Sequence, residues 1–220
     1  MSYFPFFKEI EGEKCLVIGG GKVAARKISR LKEFGVKIKV VAPSIVSDIE
    51  AMAQACDNIS VERRIITPQD IENADFVIAA AGEEADKEAA RLCKERSIPV
   101  NVVDNQELCD FIFPSIIRKG DMVAGFVTGG KSPHVAAKIR RDCEMNISDN
   151  IEDILDYLAR IRKLAKDRIS DERKRAAYIR EVSEFCMKAD RVCSNKEENA
   201  FLQKYLDNRS ETVLPGAALV

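Results

Sequence analysis

Apolar and polar positions along this chain switch repeatedly between two spacings. Lys14-Cys15-Leu16-Val17-Ile18 is a short apolar run that stops at glycines, the signal of a buried strand. Helical spacing follows at Val23, Ala24, Ile28, Leu31 and Phe34, and Gly35 closes it. Residues 36–41 then read as a second strand ending at Ala42-Pro43-Ser44. Strand, glycine turn, helix and strand within about 30 residues make a βαβ unit. The alternation continues with a helix over 44–56, a strand over 59–63, a strand over 75–80, a helix over 83–96 and a strand over 98–103 that ends at Asp104. This rhythm predicts an α/β fold, a doubly wound parallel sheet with ligands at the carboxyl ends of its strands.

The rhythm changes after Phe113-Pro114, where the domain boundary is placed. One more strand is expected over 122–127, and only helices from 133 onward. Ile151, Ile154, Leu155, Leu158, Ile161 and Leu164 keep helical spacing behind Asp149-x-x-Glu152, which looks like a capping box. Ser194-x-x-Glu197 opens a last helix to about Leu206, and the tail over 215–220 is expected to fray.

Composition narrows the picture. With 220 residues and 46% hydrophobic content, the chain can bury one large domain and a smaller partner. Lys and Arg number 35 against 36 Asp and Glu, so no global field draws in nucleic acid or an anionic membrane. Apolar runs fall well short of the roughly 20 residues of a membrane span. The first residues lack the features of a secretory signal. Seven scattered cysteines without a C-x-x-C pair argue against a disulfide framework or structural zinc, and point to the reducing cytosol. Cys15, Cys93 and Cys143 fall at apolar-spaced positions and read as core.

Two glycine turns carry the candidate chemistry. Gly19, Gly21 and Ala24 match G-x-G-x-x-G/A between a strand and a helix, the order a dinucleotide site requires. Gly19 allows the sharp turn, Gly21 leaves room for a pyrophosphate, and Ala24 lets helix pack on strand. Neither an acid for a ribose 2′-OH nor an arginine for a 2′-phosphate stands at the end of the second strand, so the pattern favours NAD over NADP only mildly. The second turn, Gly125 to Ser132, fits the phosphate loop G-x-x-x-x-G-K-[ST]. Pro133 removes an amide where that loop needs donors, and no strand ending in Asp follows to hold magnesium. Ser132 as N-cap with Pro133 in the first helical position explains the same residues without ATP.

Taken in order, Val17 to Lys27, Val40-Val41-Ala42-Pro43, Phe76 to Ala80, Val100-Asn101-Val102-Val103-Asp104, Cys109 to Pro114 and Thr128-Gly129-Gly130-Lys131-Ser132-Pro133 resemble the precorrin-2 dehydrogenase and sirohydrochlorin ferrochelatase family, the N-terminal module of siroheme synthases. The resemblance implies a Rossmann-like domain over 1–113, a dimerisation segment over 114–147 and a helical domain over 148–220. It implies NAD-dependent oxidation of precorrin-2 to sirohydrochlorin by a cytoplasmic homodimer. Some members also insert metal and others only dehydrogenate, so chelation stays open. NAD is expected at Gly19, Gly21, Lys22, Val23, Pro43 and Ser44. Asp104 is the implied acid/base, and Thr128, Lys131 and Ser132 are the implied substrate contacts. Arg118, Lys119, Lys138, Arg140 and Arg141 add basic charge nearby in sequence. His134 stands alone without a second ligand at metal spacing, so no metal site is assigned. The methyltransferase half of fused siroheme synthases is not expected in these 220 residues. A dinucleotide-binding redox sensor without catalysis is the competing reading.

Overall fold

The computed structural model describes residues 3–206. A five-stranded parallel sheet has the order β3-β2-β1-β4-β5, formed by β1 (Lys14–Ile18), β2 (Lys37–Val41), β3 (Ile59–Glu62), β4 (Phe76–Ala79) and β5 (Val100–Val102). Alternate side chains of each strand leave on opposite faces, which explains the continuous apolar runs. Cys15 and Val17 join one core with Ala24, Ile28 and Val40, while Leu16 and Ile18 join another with Val77 and Ala89.

The helices α1 (Lys22–Leu31), α2 (Ser47–Ala55), α3 (Pro68–Glu72) and α4 (Glu83–Glu95) lie between successive strands in the chain. The left-handed Gly35 (φ 68°) ends the turn that extends α1, as its spacing predicted. The helix expected from 44 starts only at Ser47, because the main chain of Ile45–Val46 is held against the first glycine turn. Sequence periodicity missed α3 because it is only five residues long, although a capping box between Thr67 and Asp70 frames it.

After β5 come β6 (Ser115–Lys119) and β7 (Met122–Phe126), a two-stranded sheet turning through Gly120 (φ 56°). Only β7 was legible in the sequence. Four helices follow: α5 (Pro133–Glu144), α6 (Ile151–Arg168), α7 (Glu172–Ala189) and α8 (Asn195–Leu206). The Asp149 capping box does not form. Asn150 takes the N-cap position of α6, and Asp149 instead meets Lys119 at 2.8 Å. The Ser194 box does form, with Glu197 Oε2 accepting from the Ser194 amide at 2.8 Å.

The chain divides into two compact units. The first runs to Ile116 and takes up Phe126–Ala137 again; the second holds Ile117–Gly125 and continues from Lys138. Ile154, Ile161, Tyr178, Val182 and Cys186 form the helical core of the second unit. Cys15 and Cys93 are buried as expected, while Cys143 is half-buried. No helix of the described residues is long and apolar enough to cross a membrane. The tail expected to fray lies outside those residues.

Candidate functional site

The first glycine turn is shaped by its neighbours. The Gly19 amide donates to the Val41 carbonyl (3.1 Å), and the Gly20 carbonyl accepts from the Val46 amide (2.9 Å). Gly19 has φ 116°, and a Cβ there would overlap the Ala80 carbonyl. A Cβ at Gly20 would overlap the Ser44 carbonyl, so the fingerprint turn and the Pro43–Ser44 corner touch. Gly21 differs. Its backbone (φ −87°, ψ −177°) suits any residue, and a Cβ would meet nothing within 4 Å. The open space lies at the N-terminus of α1, where amides favour an anion. Lys22 is exposed, Val23 is 39% exposed, and Ala24 is fully buried beneath them. Pro43 and Ser44 are exposed at the neighbouring strand end. These residues fit a dinucleotide: a bare backbone, a helix start and an accessible second strand end.

The fold also brings Arg63 and Arg64 to the end of β3, next to the end of β2, a neighbourhood that reading β2 alone could not reveal. Both are engaged. Arg63 pairs with Glu50, and Arg64 holds Asp70 through two bonds of 2.6 and 2.7 Å.

Asp104 follows β5 and is exposed, with its backbone in the left-handed region at φ 60°. Aspartate tolerates that conformation better than most side chains. The preceding Val103 amide is fixed to the Ala79 carbonyl at 2.9 Å. Asp86 of α4, 4% exposed, accepts from the Ala81 and Gly82 amides at 2.8 and 3.2 Å. Burial pushes the Asp86 carboxyl above its ordinary value; the two amides oppose this, and the nearby Asp104 charge adds to it.

On the other face of β5, Asn101 is 5% exposed and accepts from the Lys27 ammonium at 2.8 Å. Its amide donates to the Phe111 carbonyl at 2.9 Å. Cys109 packs here too, its sulfur accepting from the Val102 amide at 3.1 Å. Burial lowers the Lys27 ammonium from 10.5 to about 8, assisted by Arg26 and opposed by Cys109 and Asp104. Sequence reasoning gave no role to Lys27, Asn101 or Asp86. The available signal was a lysine on the inward side of α1 and an asparagine inside an apolar strand.

The second glycine turn folds back on itself. The Thr128 hydroxyl accepts from the Ser132 amide (3.2 Å) and donates to the Ser132 carbonyl (2.9 Å). Ser132 Oγ accepts from the Val135 amide at 3.2 Å, the N-cap bond expected at the start of α5. Gly129 and Gly130 are both left-handed, and a Cβ at Gly130 would overlap the Gln106 side chain, two residues beyond Asp104. The turn carrying Thr128, Lys131 and Ser132 therefore lies against the segment that carries Asp104. Lys131 is exposed, as is His134. Much of the downstream basic charge is already paired: Lys119 with Asp149, Lys138 with Asp142 and Arg140 with Glu144.

The chain is 31% identical over 201 residues to a siroheme synthase of Nitrosococcus oceani, covering 91% of this chain and 42% of that protein. It is 33% identical over 207 residues to a siroheme synthase of Nitrosomonas eutropha, covering 94% and 43%. The chain thus spans less than half the length of these curated relatives. Among solved structures, SirC, a precorrin-2 dehydrogenase, has the same fold, with a TM-score of 0.69 at 21% identity over 92% of this chain and 98% of that one. Residues 6–115, which include the glycine turn, both neighbouring strand ends and Asp104, match a family described as putative NAD(P)-binding. Half of the sequence is accounted for by that match, and the chain belongs to this putative NAD(P)-binding family.

Proposed function

We propose that this chain is an NAD-dependent precorrin-2 dehydrogenase that forms sirohydrochlorin. One observation carries the reading: an exposed left-handed carboxylate, Asp104, at the carboxyl edge of a sheet whose first turn has the bare, open backbone of a dinucleotide site. The likeness to siroheme synthases and to the fold of a precorrin-2 dehydrogenase supports it. Gly19, Gly21, Lys22 and Val23 would hold the pyrophosphate, with Pro43 and Ser44 along the adenosine half. NAD is favoured over NADP because Arg63 and Arg64 are already committed to acidic partners.

Bound NAD would supply the hydride acceptor. Asp104 takes the proton that leaves the macrocycle as the hydride departs, which extends the ring's conjugation. The Val103 amide is fixed to the Ala79 carbonyl, which holds the main chain leading into Asp104 at the sheet edge. Lys131, the exposed cation of the turn, is assigned to the substrate's carboxylates, with Thr128 and Ser132, whose hydroxyls hold the turn, placing it there. A homodimer in the cytoplasm is the expected setting, on the strength of the family resemblance.

The test is anaerobic turnover of enzymatically generated precorrin-2 with NAD, following sirohydrochlorin and NADH by absorbance. Equal appearance of both products is expected, and ferrous ion added afterwards tests chelation. Asp104→Asn, which suits the left-handed backbone, is expected to lower kcat by about 100-fold or more while NAD affinity stays within about twofold. A normal rate in that variant removes Asp104 from its role. No oxidation by a folded, NAD-binding wild type favours the redox-sensor reading.

A further inference from the structure

Two of the cysteines meet. The sulfurs of Cys186 and Cys193 lie 3.9 Å apart, the one pair of thiols in contact among the described residues. Cys186 sits in the last turn of α7, and Cys193 falls just before α8 begins. Asp190, left-handed at φ 53°, turns the chain between them. Both side chains belong to the core of the helical unit, where Cys186 is fully buried and Cys193 is 7% exposed.

The turn that joins them is held on several sides. The Asp190 carboxylate accepts from Ser148, and its carbonyl accepts from Asn150 at 3.0 Å. The Arg191 guanidinium donates to Glu197 at 2.8 and 2.9 Å and lies over the ring of Phe185. Its amide closes on the Cys186 carbonyl at 3.3 Å. Burial alone accounts for either cysteine, since a thiol packs as a small apolar group. It does not require that the two sulfurs touch. Burial pushes the Cys186 thiol up to about 11; the Cys193 sulfur adds to this, and the Cys193 amide and Arg191 oppose it. Cys193, flanked by the exposed Val192 and Ser194, is the thiol that first meets an oxidant from solution.

We propose that Cys186 and Cys193 form a redox modification site: a hydroperoxide converts the two thiols into a disulfide that fastens the end of α7 to the entry of α8. The Cys193 sulfur attacks the O–O bond and becomes a sulfenic acid, while the other oxygen leaves as water or an alcohol. The Cys186 sulfur then attacks the Cys193 sulfur. The S–O bond breaks, the S–S bond forms, and the Cys186 proton leaves with the hydroxyl as water. The two thiols together lose two electrons, and the peroxide gains them. A disulfide places its sulfurs at about 2 Å, so the thiols approach by about 2 Å more, a distance that side-chain rotation covers. In a reducing compartment such a bond is transient and reports oxidation. Neither NAD nor precorrin-2 enters the step, so it stands apart from the dehydrogenase reading.

The test uses the wild-type full chain, reduced, freed of reductant and exposed to hydrogen peroxide without denaturant. It is then unfolded, alkylated and digested with trypsin. Lys188 and Arg191 lie between the two cysteines, so trypsin places them on separate peptides. The expected product is those two peptides joined, from a chain that runs as a monomer on a denaturing gel without reductant. Dithiothreitol should restore both thiols. Cys15 and Cys93, buried with no sulfur in contact, are expected to oxidise at least about 10-fold more slowly. In Cys186→Ala the sulfenic acid should persist at Cys193 and be captured by dimedone. The proposal is overturned if both thiols remain fully alkylated, or if Cys193 passes to sulfinic acid with Cys186 unlinked. A link that joins two chains, or that forms only after unfolding, overturns it equally. The deciding measurement is made on the wild type, so it does not depend on either variant folding.

Discussion

Gly19, Gly20 and Gly21 lack side chains for different reasons, and the difference is testable. At Gly19 and Gly20 a Cβ would strike the Ala80 and Ser44 carbonyls, so the protein itself requires glycine. Gly20→Ala is expected to cost about 1–3 kcal/mol of stability, through overpacking against backbone, read by chemical denaturation. Nothing in the protein requires glycine at 21. Aspartate there is even a favoured N-cap for α1. Gly21→Asp should therefore melt at or above the wild-type temperature and yet lose NAD affinity by about 100-fold or more, through steric and charge conflict with pyrophosphate. Retained NAD affinity in that folded variant would move the cofactor away from this turn.

At the scale of elements, the short α3 shows how a buried charge can organise a corner. Asp70, almost fully buried, is gripped by Arg64, by Thr67 through its amide and hydroxyl, and by Lys39. The Arg64 guanidinium, followed by the Thr67 amide and Lys39, holds its carboxyl well below the ordinary 3.8. A carboxyl depressed by folding stabilises the protein above its unfolded value and withdraws that support as pH falls through its folded value. Asp70→Asn should thus cost about 1–3 kcal/mol at pH 7, with the gap to wild type narrowing below about pH 4. Denaturant curves at several pH values measure it. This corner was invisible in the sequence because one turn of helix has too few apolar positions to show a period. The β1–α1–β2 unit was legible because its strands and the inward side of α1 are apolar and its glycines mark the joints. Asp149 was misread, since its position in sequence gave no hint of Lys119, 30 residues away. The grouping of Lys27 with Asn101 was equally hidden: 74 residues separate them, and only the parallel sheet brings α1 across to β5.

For the molecule as a whole, ligand binding offers the cleanest check on cofactor choice. A ligand at about 100 times its Kd stabilises the folded state by about 2.7 kcal/mol. NAD is expected to raise Tm in that manner, and NADP to do so much less at equal concentration, because Arg63 and Arg64 are tied to Glu50 and Asp70. Equal shifts would show that one of those arginines is released to take the extra phosphate. The parallel direction of all five strands has a practical corollary. The candidate groups leave the sheet at one edge, and the opposite edge carries none of them. Asp57, exposed just before β3 begins, sits on that idle side. A fluorophore or short affinity tag grafted there would report on cofactor binding from behind the sheet without competing for the space above it.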